Sequence, residues 1–171
     1  LVNEFSDFAR MPKPLFKSNN LNLVIKENIN LVNKFDSTIN IRFLNHLTKD
    51  VILKFDNEQF NRLFFNLIKN SVESIQEKVE KDSKTVKNID IDIRQRRDYI
   101  IVNIVDTGIG FKNKKTKDII KPYFTTKAKG TGLGLSIVDK IISDHEGSIK
   151  FLNHSKGAKI QIIIPLKKNV S

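Results

Sequence analysis

Several residue types are absent or scarce in this chain of 171 residues. It contains no cysteine and no tryptophan, and it has only one methionine. The absence of cysteine excludes disulfide bonds and thiolate metal sites, and it is compatible with a reducing compartment. Long apolar runs are also missing, because stretches such as residues 162–165 are far too short to span a bilayer. The composition therefore predicts a soluble domain of the intracellular type.

Arginine is scarce as well, although the chain is strongly basic. The 30 basic residues against 19 acidic ones give a formal net charge of +11, but only six of the 30 are arginine. A basic chain can indicate nucleic-acid binding. Here the lysines are spread along the sequence and do not alternate with aromatic residues in a base-stacking pattern. We attribute the lysine excess to an AT-rich genome and expect no nucleic-acid partner.

The length and the periodicity of apolar residues predict one α/β domain. Residues 1–9 resemble the last turns of a helix that ends before two prolines, and the chain starts without methionine, as a fragment of a longer protein would. Helices and a mixed sheet in separate layers predict a two-layer α/β sandwich. The predicted helices are residues 21–35 and 57–79 and the run after residue 134; the predicted strands are residues 38–44, 51–55, 89–97, 99–105, 148–152 and 159–166, with a hairpin turn at residues 46–50.

Three glycines stand at alternate positions, Gly130, Gly132 and Gly134, directly before a run with helical period. Glycine is conformationally costly, so this cluster indicates that something approaches the main chain closely. The N–H groups and the positive end of the following helix form an anion site, most often for phosphate. Neither the P-loop pattern nor the dinucleotide fingerprint is present, so the phosphate interpretation depends on other motifs.

The long helix carries Asn66 and Asn70 one turn apart, on the border between its apolar face and solvent. Two amide oxygens in that position could bind a hard cation such as Mg²⁺. Asn57 and Asn61 have the same spacing in the same helix, so the pair alone favours a solvated edge over a cation site. Glu73, one turn further on, is either an active-site acid or a solvated one.

Two more motifs lie in the segment that follows the central strand. In VDTGIGF, Asp106 ends that strand, where its carboxylate could accept the exocyclic amine of a purine while Gly108 and Gly110 lie against the flat base. An ordinary Asp-Thr-Gly turn is the alternative. In KPYFTTK, Phe124 could anchor a lid formed by residues 107–131, and Thr126 and Lys127 could reach phosphate oxygens.

The order of these motifs resembles the ATP-binding domain of sensor histidine kinases. Asn-x-x-x-Asn, Asp-x-Gly-x-Gly, Tyr-Phe-Thr-Thr-Lys and Gly-Thr-Gly-Leu-Gly-Leu are similar to the N, G1, F and G2 boxes of that family. Its Bergerat fold is shared with gyrase, Hsp90 and MutL-type ATPases. The resemblance covers residues 21–166, and the opening EFSDFARMPKP is similar to the end of the second dimerisation helix in nitrogen-regulation sensor kinases of the NtrY kind.

The resemblance implies a role for each motif. Asn70, assisted by Asn66, would hold the Mg²⁺ of Mg²⁺–ATP, and Asp106 would bind the adenine amine with Gly108 and Gly110 close to the base. Asn66, Asn70 and Lys127 would form the catalytic set. The remaining nucleotide contacts would come from Phe124, Thr126, Lys127, Gly130, Thr131, Gly132, Leu133 and Gly134. Lys121 and Ala158 depart from the family, which usually has glutamate and often threonine there.

The resemblance also implies partners and a location. Residues 1–14 would be the end of the dimerisation and phosphoacceptor helix with its linker, and residues 15–171 the catalytic domain. That domain would donate the γ-phosphoryl group of ATP to a histidine upstream, and the signal would pass to a response regulator. The parent protein would be a membrane-anchored homodimer with this domain in the cytoplasm.

Alternatives within the wider fold family are a gyrase- or Hsp90-type ATPase and an anti-sigma-type serine kinase. Hydrolysis needs a base to activate water, and the hydrolytic relatives place glutamate four residues before the Mg²⁺ asparagine, where this chain has Asn66. A neutral imidazole needs no such base, which favours a histidine kinase. The three histidines, His46, His145 and His154, lie outside any acceptor-like helix motif, so we expect the acceptor to precede Leu1.

Overall fold

The computed structural model describes residues 11–111, residue 119 and residues 134–166. Along the described chain one strand precedes the first helix, and each helix is followed by a pair of strands. Their bounds are β1 (Lys17–Asn20), α1 (Leu21–Phe35), β2 (Asn40–Asn45), β3 (Ile52–Phe55), α2 (Asn57–Lys81), β4 (Asn88–Arg96), β5 (Tyr99–Asp106), α3 (Gly134–Asp144), β6 (Ser148–His154) and β7 (Gly157–Pro165).

A five-stranded sheet with the strand order β2-β4-β5-β7-β6 forms one layer. Strand β2 is parallel to β4 and the other neighbours are antiparallel, so the sheet is mixed and β5 lies at its centre. Alternate residues of β4, such as Ile89 and Ile91, are buried in one core with apolar residues of the helices. On the opposite face, Arg42 forms a bidentate ion pair with Asp90, in which Nε and Nη2 donate to the two carboxylate oxygens at 2.6 and 2.8 Å. The predicted α/β sandwich is confirmed.

One predicted connection is wrong. The sequence suggested that residues 38–44 and 51–55 form a hairpin with His46 in its turn, but β2 pairs with β4 and β3 pairs with β1. The strand β1 is short and polar, so no alternating pattern revealed it. The His46 N–H donates to the Ile93 carbonyl at 3.0 Å, which extends the contact of β2 with β4 instead of closing a hairpin.

Helix α2 is the longest described element, and its first turn is capped by Asp56. The Oδ1 atom of Asp56 accepts a hydrogen bond from the Gln59 N–H at 3.0 Å, which satisfies one of the amides that a helix start leaves unpaired. Lys78 and Lys81 occupy the last turn, where positive charge is favoured. The helix therefore runs from Asn57 to Lys81, two residues beyond its predicted end.

Asp56 also joins two other parts of the chain to this helix start. Its Oδ2 atom accepts from the Leu15 N–H at 2.8 Å, and its own N–H donates to His145 Nε2 at 3.1 Å. Gln59 Nε2 donates to the Pro12 carbonyl at 3.0 Å. Residues 12–15, which include the predicted boundary between linker and catalytic domain, are therefore fastened to the first turn of α2.

Candidate functional site

Asn66 and Asn70 lie at the edge of the buried face of α2. Of the three residues between them, Leu67 and Ile68 are fully buried and Lys69 is exposed, whereas both asparagines have intermediate exposure. This confirms the predicted position of the pair on the border of the helix. Their amide groups are one helical turn apart and both can reach the solvent-accessible side, as two ligands of one cation must.

The other asparagine pair of this helix has a different environment. Asn61 Oδ1 accepts from Asn28 Nδ2 at 2.9 Å, and Asn61 Nδ2 donates to the Asn57 carbonyl at 2.9 Å. Asn61 therefore serves the packing of α1 against α2, while the side chain of Asn57 is exposed. The contacts of Asn61 and the exposure of Asn57 therefore account for this second pair without a bound cation.

Asp106 ends the central strand β5 and is only 3% exposed. Its Oδ1 atom accepts a hydrogen bond from the Gly108 N–H at 2.8 Å, which closes a tight Asx turn after the strand. Burial raises the pKa of Asp106 above its ordinary value, against the opposing effect of that N–H and of neighbouring groups. A buried carboxyl beside two glycines is an arrangement that can recognise an amine of a flat ligand.

Helix α2 packs directly against Gly108. A Cβ atom on Gly108 would lie 2.1 Å from Ser74 Oγ and 2.8 Å from the Ser74 carbonyl carbon. Ser74 Oγ also accepts a hydrogen bond from the Ile109 N–H at 3.0 Å, so the helix holds the loop in place. The close approach of α2 to the loop therefore requires glycine at position 108, which the sequence did not show.

We predict that Gly108→Ala lowers the free energy of unfolding by about 1–3 kcal/mol, because the new methyl group would overlap α2. Urea denaturation of the variant measures the loss. In a Ser74→Gly background the same substitution should cost less, since the Oγ and Cβ atoms of Ser74 are then gone. An equal cost in both backgrounds would contradict the proposed contact.

Gly134 supplies the matched control. It begins α3, and a Cβ atom there would meet no other atom of the described chain within 4 Å. Gly134→Ala should therefore leave stability unchanged or raise it by a few tenths of a kcal/mol, because alanine restricts the unfolded chain.

The loop after Asp106 is also fixed from the side of β6 and β7. Gly110 has φ +73°, a left-handed conformation that favours glycine, and the next N–H, that of Phe111, donates to Asn153 Oδ1 at 2.9 Å. A Cβ atom on Gly157 would lie 2.5 Å from the Asp106 carbonyl oxygen. The predicted base-binding loop is therefore clamped between α2 and the β6–β7 hairpin.

Several predicted site residues lie outside the described residues. Gly134 is the only member of the predicted phosphate-binding set inside them, at the start of α3. The others outside are Phe124, Thr126, Lys127, Gly130, Thr131, Gly132 and Leu133, together with Lys121 and most of the predicted lid at 107–131. Their roles stay predictions.

The donor set around α2 is compatible with magnesium bound mainly through the nucleotide. Among residues 11–111, 119 and 134–166, no three histidine or acidic side chains form a cluster that could hold a metal. Mg²⁺ commonly uses one or two protein oxygens together with water and substrate phosphates, so the amide oxygens of Asn66 and Asn70 fit this role. Glu73 lies 3.9 Å from Lys69 Nζ and 35% of its side chain is exposed.

His145 is a buried structural histidine. Its Nε2 atom accepts from the Asp56 N–H at 3.1 Å, so the proton lies on Nδ1, which is 2.7 Å from the Ile141 carbonyl. Phe16 and Phe60 pack against the ring. With both nitrogens engaged and 4% exposure, His145 does not present a nucleophile to solvent. His46 and His154 are exposed, but neither lies in a helix.

Sequence reasoning missed Ser71 and Ser74, which bring α2 into contact with the loop after β5. Ser71 is 1% exposed and sits among buried apolar residues of the helix face, next to Val72. A small polar residue at a position where the period requires an apolar one was the available signal.

Two depressions of the described surface differ in their relation to these residues. An open groove of about 580 Å³ adjoins the loop and is lined by Lys78, by residues 108–110 and by residues 153–157. A more enclosed cavity of about 240 Å³ lies elsewhere, between Phe16, Phe60, His145 and residues 164–166. We assign the site by its chemistry to Asp106 and α2 and not to the more enclosed cavity.

Comparison with known proteins finds relatives that are described as nitrogen-regulation proteins and sensor histidine kinases. The chain is 31% identical to the nitrogen regulation protein NtrY of Azorhizobium caulinodans, over 98% of the chain and 21% of the relative. It is 32% identical to a sensor histidine kinase described as NtrY-like from Rickettsia felis, over 98% of the chain and 27% of the relative. The chain thus spans about a quarter of the length of these relatives.

A solved structure of the catalytic domain of the histidine kinase ThkA has a TM-score of 0.74 and 29% identity, and the match covers 88% of this chain and 95% of that one. Residues 55–168 match the family described as histidine kinase-, DNA gyrase B-, and HSP90-like ATPase. The chain is therefore homologous to the ATP-binding catalytic domains of sensor histidine kinases. It belongs to the family of histidine kinase-, DNA gyrase B- and HSP90-like ATPases.

Proposed function

We propose that this domain transfers the γ-phosphoryl group of Mg²⁺–ATP to a histidine on a separate dimerisation domain. The observation that carries the proposal is the buried carboxyl of Asp106, followed by a loop that α2 contacts through Ser74. The same helix carries Asn66 and Asn70 on the border of its buried face. Adenine recognition and phosphate positioning are thereby assigned to different elements of one rigid framework.

Each residue of the proposed site has a defined task. The Asp106 carboxylate accepts a hydrogen bond from the adenine 6-amine. Asn70, together with Asn66, supplies amide oxygens to the metal. Magnesium, when bound, neutralises phosphate oxygens and orients the transferred group. The phosphates are bound, in this proposal, by Thr126, Lys127 and the amides of residues 130–134, and the part of the lid that follows the clamped loop closes over them.

A histidine acceptor is favoured over water by the residues present. Asn66 occupies the position where a hydrolytic base would be needed, and an amide cannot take a proton from water at neutral pH. Within the described residues, His145 is buried and the other two histidines lie outside helices, so the acceptor is assigned to the dimerisation domain upstream.

The wider setting of the domain is also proposed from its relatives. Residues 1–14 would link it to the dimerisation domain, and a response regulator would receive the phosphoryl group from that domain. The parent protein would be a membrane-anchored homodimer that keeps this domain in the cytoplasm. None of the helices in the described residues has the length and apolar character required to cross a membrane.

The test combines the chain with ATP labelled at the γ-phosphate, alone and with the separately produced dimerisation domain. We expect calorimetric titration to show Mg²⁺–ATP binding, the chain alone to hydrolyse ATP very slowly, and acid-labile label to appear on the added domain. Self-labelling of the chain at His46 or His154 at the same rate would contradict the proposal. Rapid hydrolysis without any transfer would favour the ATPase alternative.

A further inference from the structure

Ser71 has an environment that nothing in the fold of α2 explains. The residue is 1% exposed, and among the described residues its Oγ atom makes no hydrogen bond of full geometry. A buried hydroxyl without a partner is destabilising, and serine is a weaker helix former than alanine. Alanine would fit the position and avoid both costs, so we look for a role of the hydroxyl other than helix stability.

Ser71 lies on the side of α2 that approaches the Asp106 carboxyl. Ser74, one turn further along the helix, accepts from the Ile109 N–H and packs against Gly108, whose own N–H is bonded to that carboxyl. The Ser71 hydroxyl is close enough to favour the ionised carboxylate and to lower its pKa, although the resting geometry falls short of a full hydrogen bond. The other groups around this carboxyl are the N–H of Gly108 and the N–H of Ala158 on β7, while Ile89 of β4 is its apolar neighbour across the sheet. Lys78 of α2 is the charged side chain whose field reaches it.

We propose that Ser71 is a positioning residue for the nucleotide base: its hydroxyl donates to the Asp106 carboxylate and fixes the oxygen that accepts the adenine 6-amine. The inference rests on the proposed nucleotide site and deepens it. One carboxylate oxygen is already held by the Gly108 N–H at 2.8 Å. A donor from α2 prevents rotation of the group and leaves a lone pair directed at the ligand.

The test uses Ser71→Ala in the whole chain and follows the Asp106 carboxyl carbon by ¹³C NMR without nucleotide. Removal of the hydroxyl takes away a nearby group that favours the charged form, so the titration midpoint of Asp106 should move to higher pH. Thermal stability should stay the same or rise, because a buried hydroxyl is lost. A purely structural serine would give lower stability and an unchanged midpoint.

Calorimetric titration with ATP across a pH series gives the second readout. The carboxylate is the form that accepts the amine, so affinity should fall as pH decreases through the midpoint, and in Ser71→Ala this fall should begin at higher pH. Near the wild-type midpoint we expect binding about tenfold weaker than that of the wild type. The same pH dependence in both proteins would overturn the inference.

Ser74→Ala is the matched control on the same helix. Ser74 Oγ bonds to the Ile109 N–H instead of the carboxyl, so this variant should lower stability and leave the Asp106 midpoint near its wild-type value. An equal midpoint shift in both variants would contradict a specific role of Ser71. Failure of the wild type to bind ATP would reject the proposed function, while the NMR midpoint still decides whether Ser71 acts on Asp106.

Discussion

Asn70→Ala is expected to reduce phosphoryl transfer to the separate dimerisation domain by about 100-fold or more. Removal of the amide deletes the main protein ligand that we assign to the magnesium, and the charge of the triphosphate is then poorly neutralised in the transition state. A 100-fold loss corresponds to about 2.7 kcal/mol of transition-state stabilisation. Initial rates of label transfer at saturating ATP measure it.

Asn57→Ala is the control for this substitution. It removes the same side chain from the same helix at an exposed position, and the Asn57 carbonyl that receives Asn61 Nδ2 is retained. Transfer should remain at the wild-type rate. If Asn57→Ala and Asn70→Ala had equal effects, the rate loss would come from a general perturbation of α2 and the metal assignment would fail.

Asp106→Asn is expected to weaken ATP binding by about 100-fold. The new amide can keep the hydrogen bond from the Gly108 N–H through its oxygen, but it places an NH₂ donor where the carboxylate accepts the adenine amine. Two donors then face each other, at a cost of a few kcal/mol. Calorimetric titration with Mg²⁺–ATP at neutral pH measures the loss.

The same substitution should not destabilise the fold at neutral pH. Burial raises the folded-state pKa of Asp106, so the folded protein holds this proton up to higher pH than the unfolded chain. The wild type therefore loses stability as pH rises from the ordinary aspartate value through the raised pKa, whereas Asp106→Asn does not. The stability difference in favour of the variant should grow through that window and then level off.

Asp90→Asn provides the comparison on the open face of the sheet. Asp90 pairs with Arg42 on the face of the sheet opposite to the buried core, so ATP affinity should be unchanged in this variant. Unchanged affinity in Asp106→Asn would contradict the adenine assignment. A large loss of stability in that variant at neutral pH would show that the buried carboxylate is a net stabilising group.

The sequence predicted those parts of the fold that have regular apolar periods. Strands β4 and β5 and helix α2 were found within two residues, because burial on one face imposes the spacing of their apolar side chains. Strand β1 was missed because residues 17–20 are polar and pair with only one neighbour. Because β1 was not predicted, β3 was paired with β2 in a hairpin, and this pairing is wrong.

The candidate site was predicted in outline and incompletely in its contacts. Asp106 and the Asn66–Asn70 pair could be recognised because their chemistry is local to a motif. The need for glycine at 108 depends on Ser74, which is 34 positions earlier, and the environment of Asp106 depends on Ser71. Such distant contacts follow from how deeply α2 packs against the sheet, and no local pattern encodes that depth.

The attachment of residues 12–15 to the start of α2 gives the domain a mechanical property. Asp56 holds Leu15, the first turn of α2 and His145 at one point, and Gln59 holds Pro12 beside it. Asn70 lies 14 residues further along the same rod, roughly 21 Å away at 1.5 Å per residue. Because α2 is packed into the core, a rotation of the whole domain about residues 12–15 would carry Asn70 with it, and at this distance every ångström of displacement corresponds to about 3° of rotation.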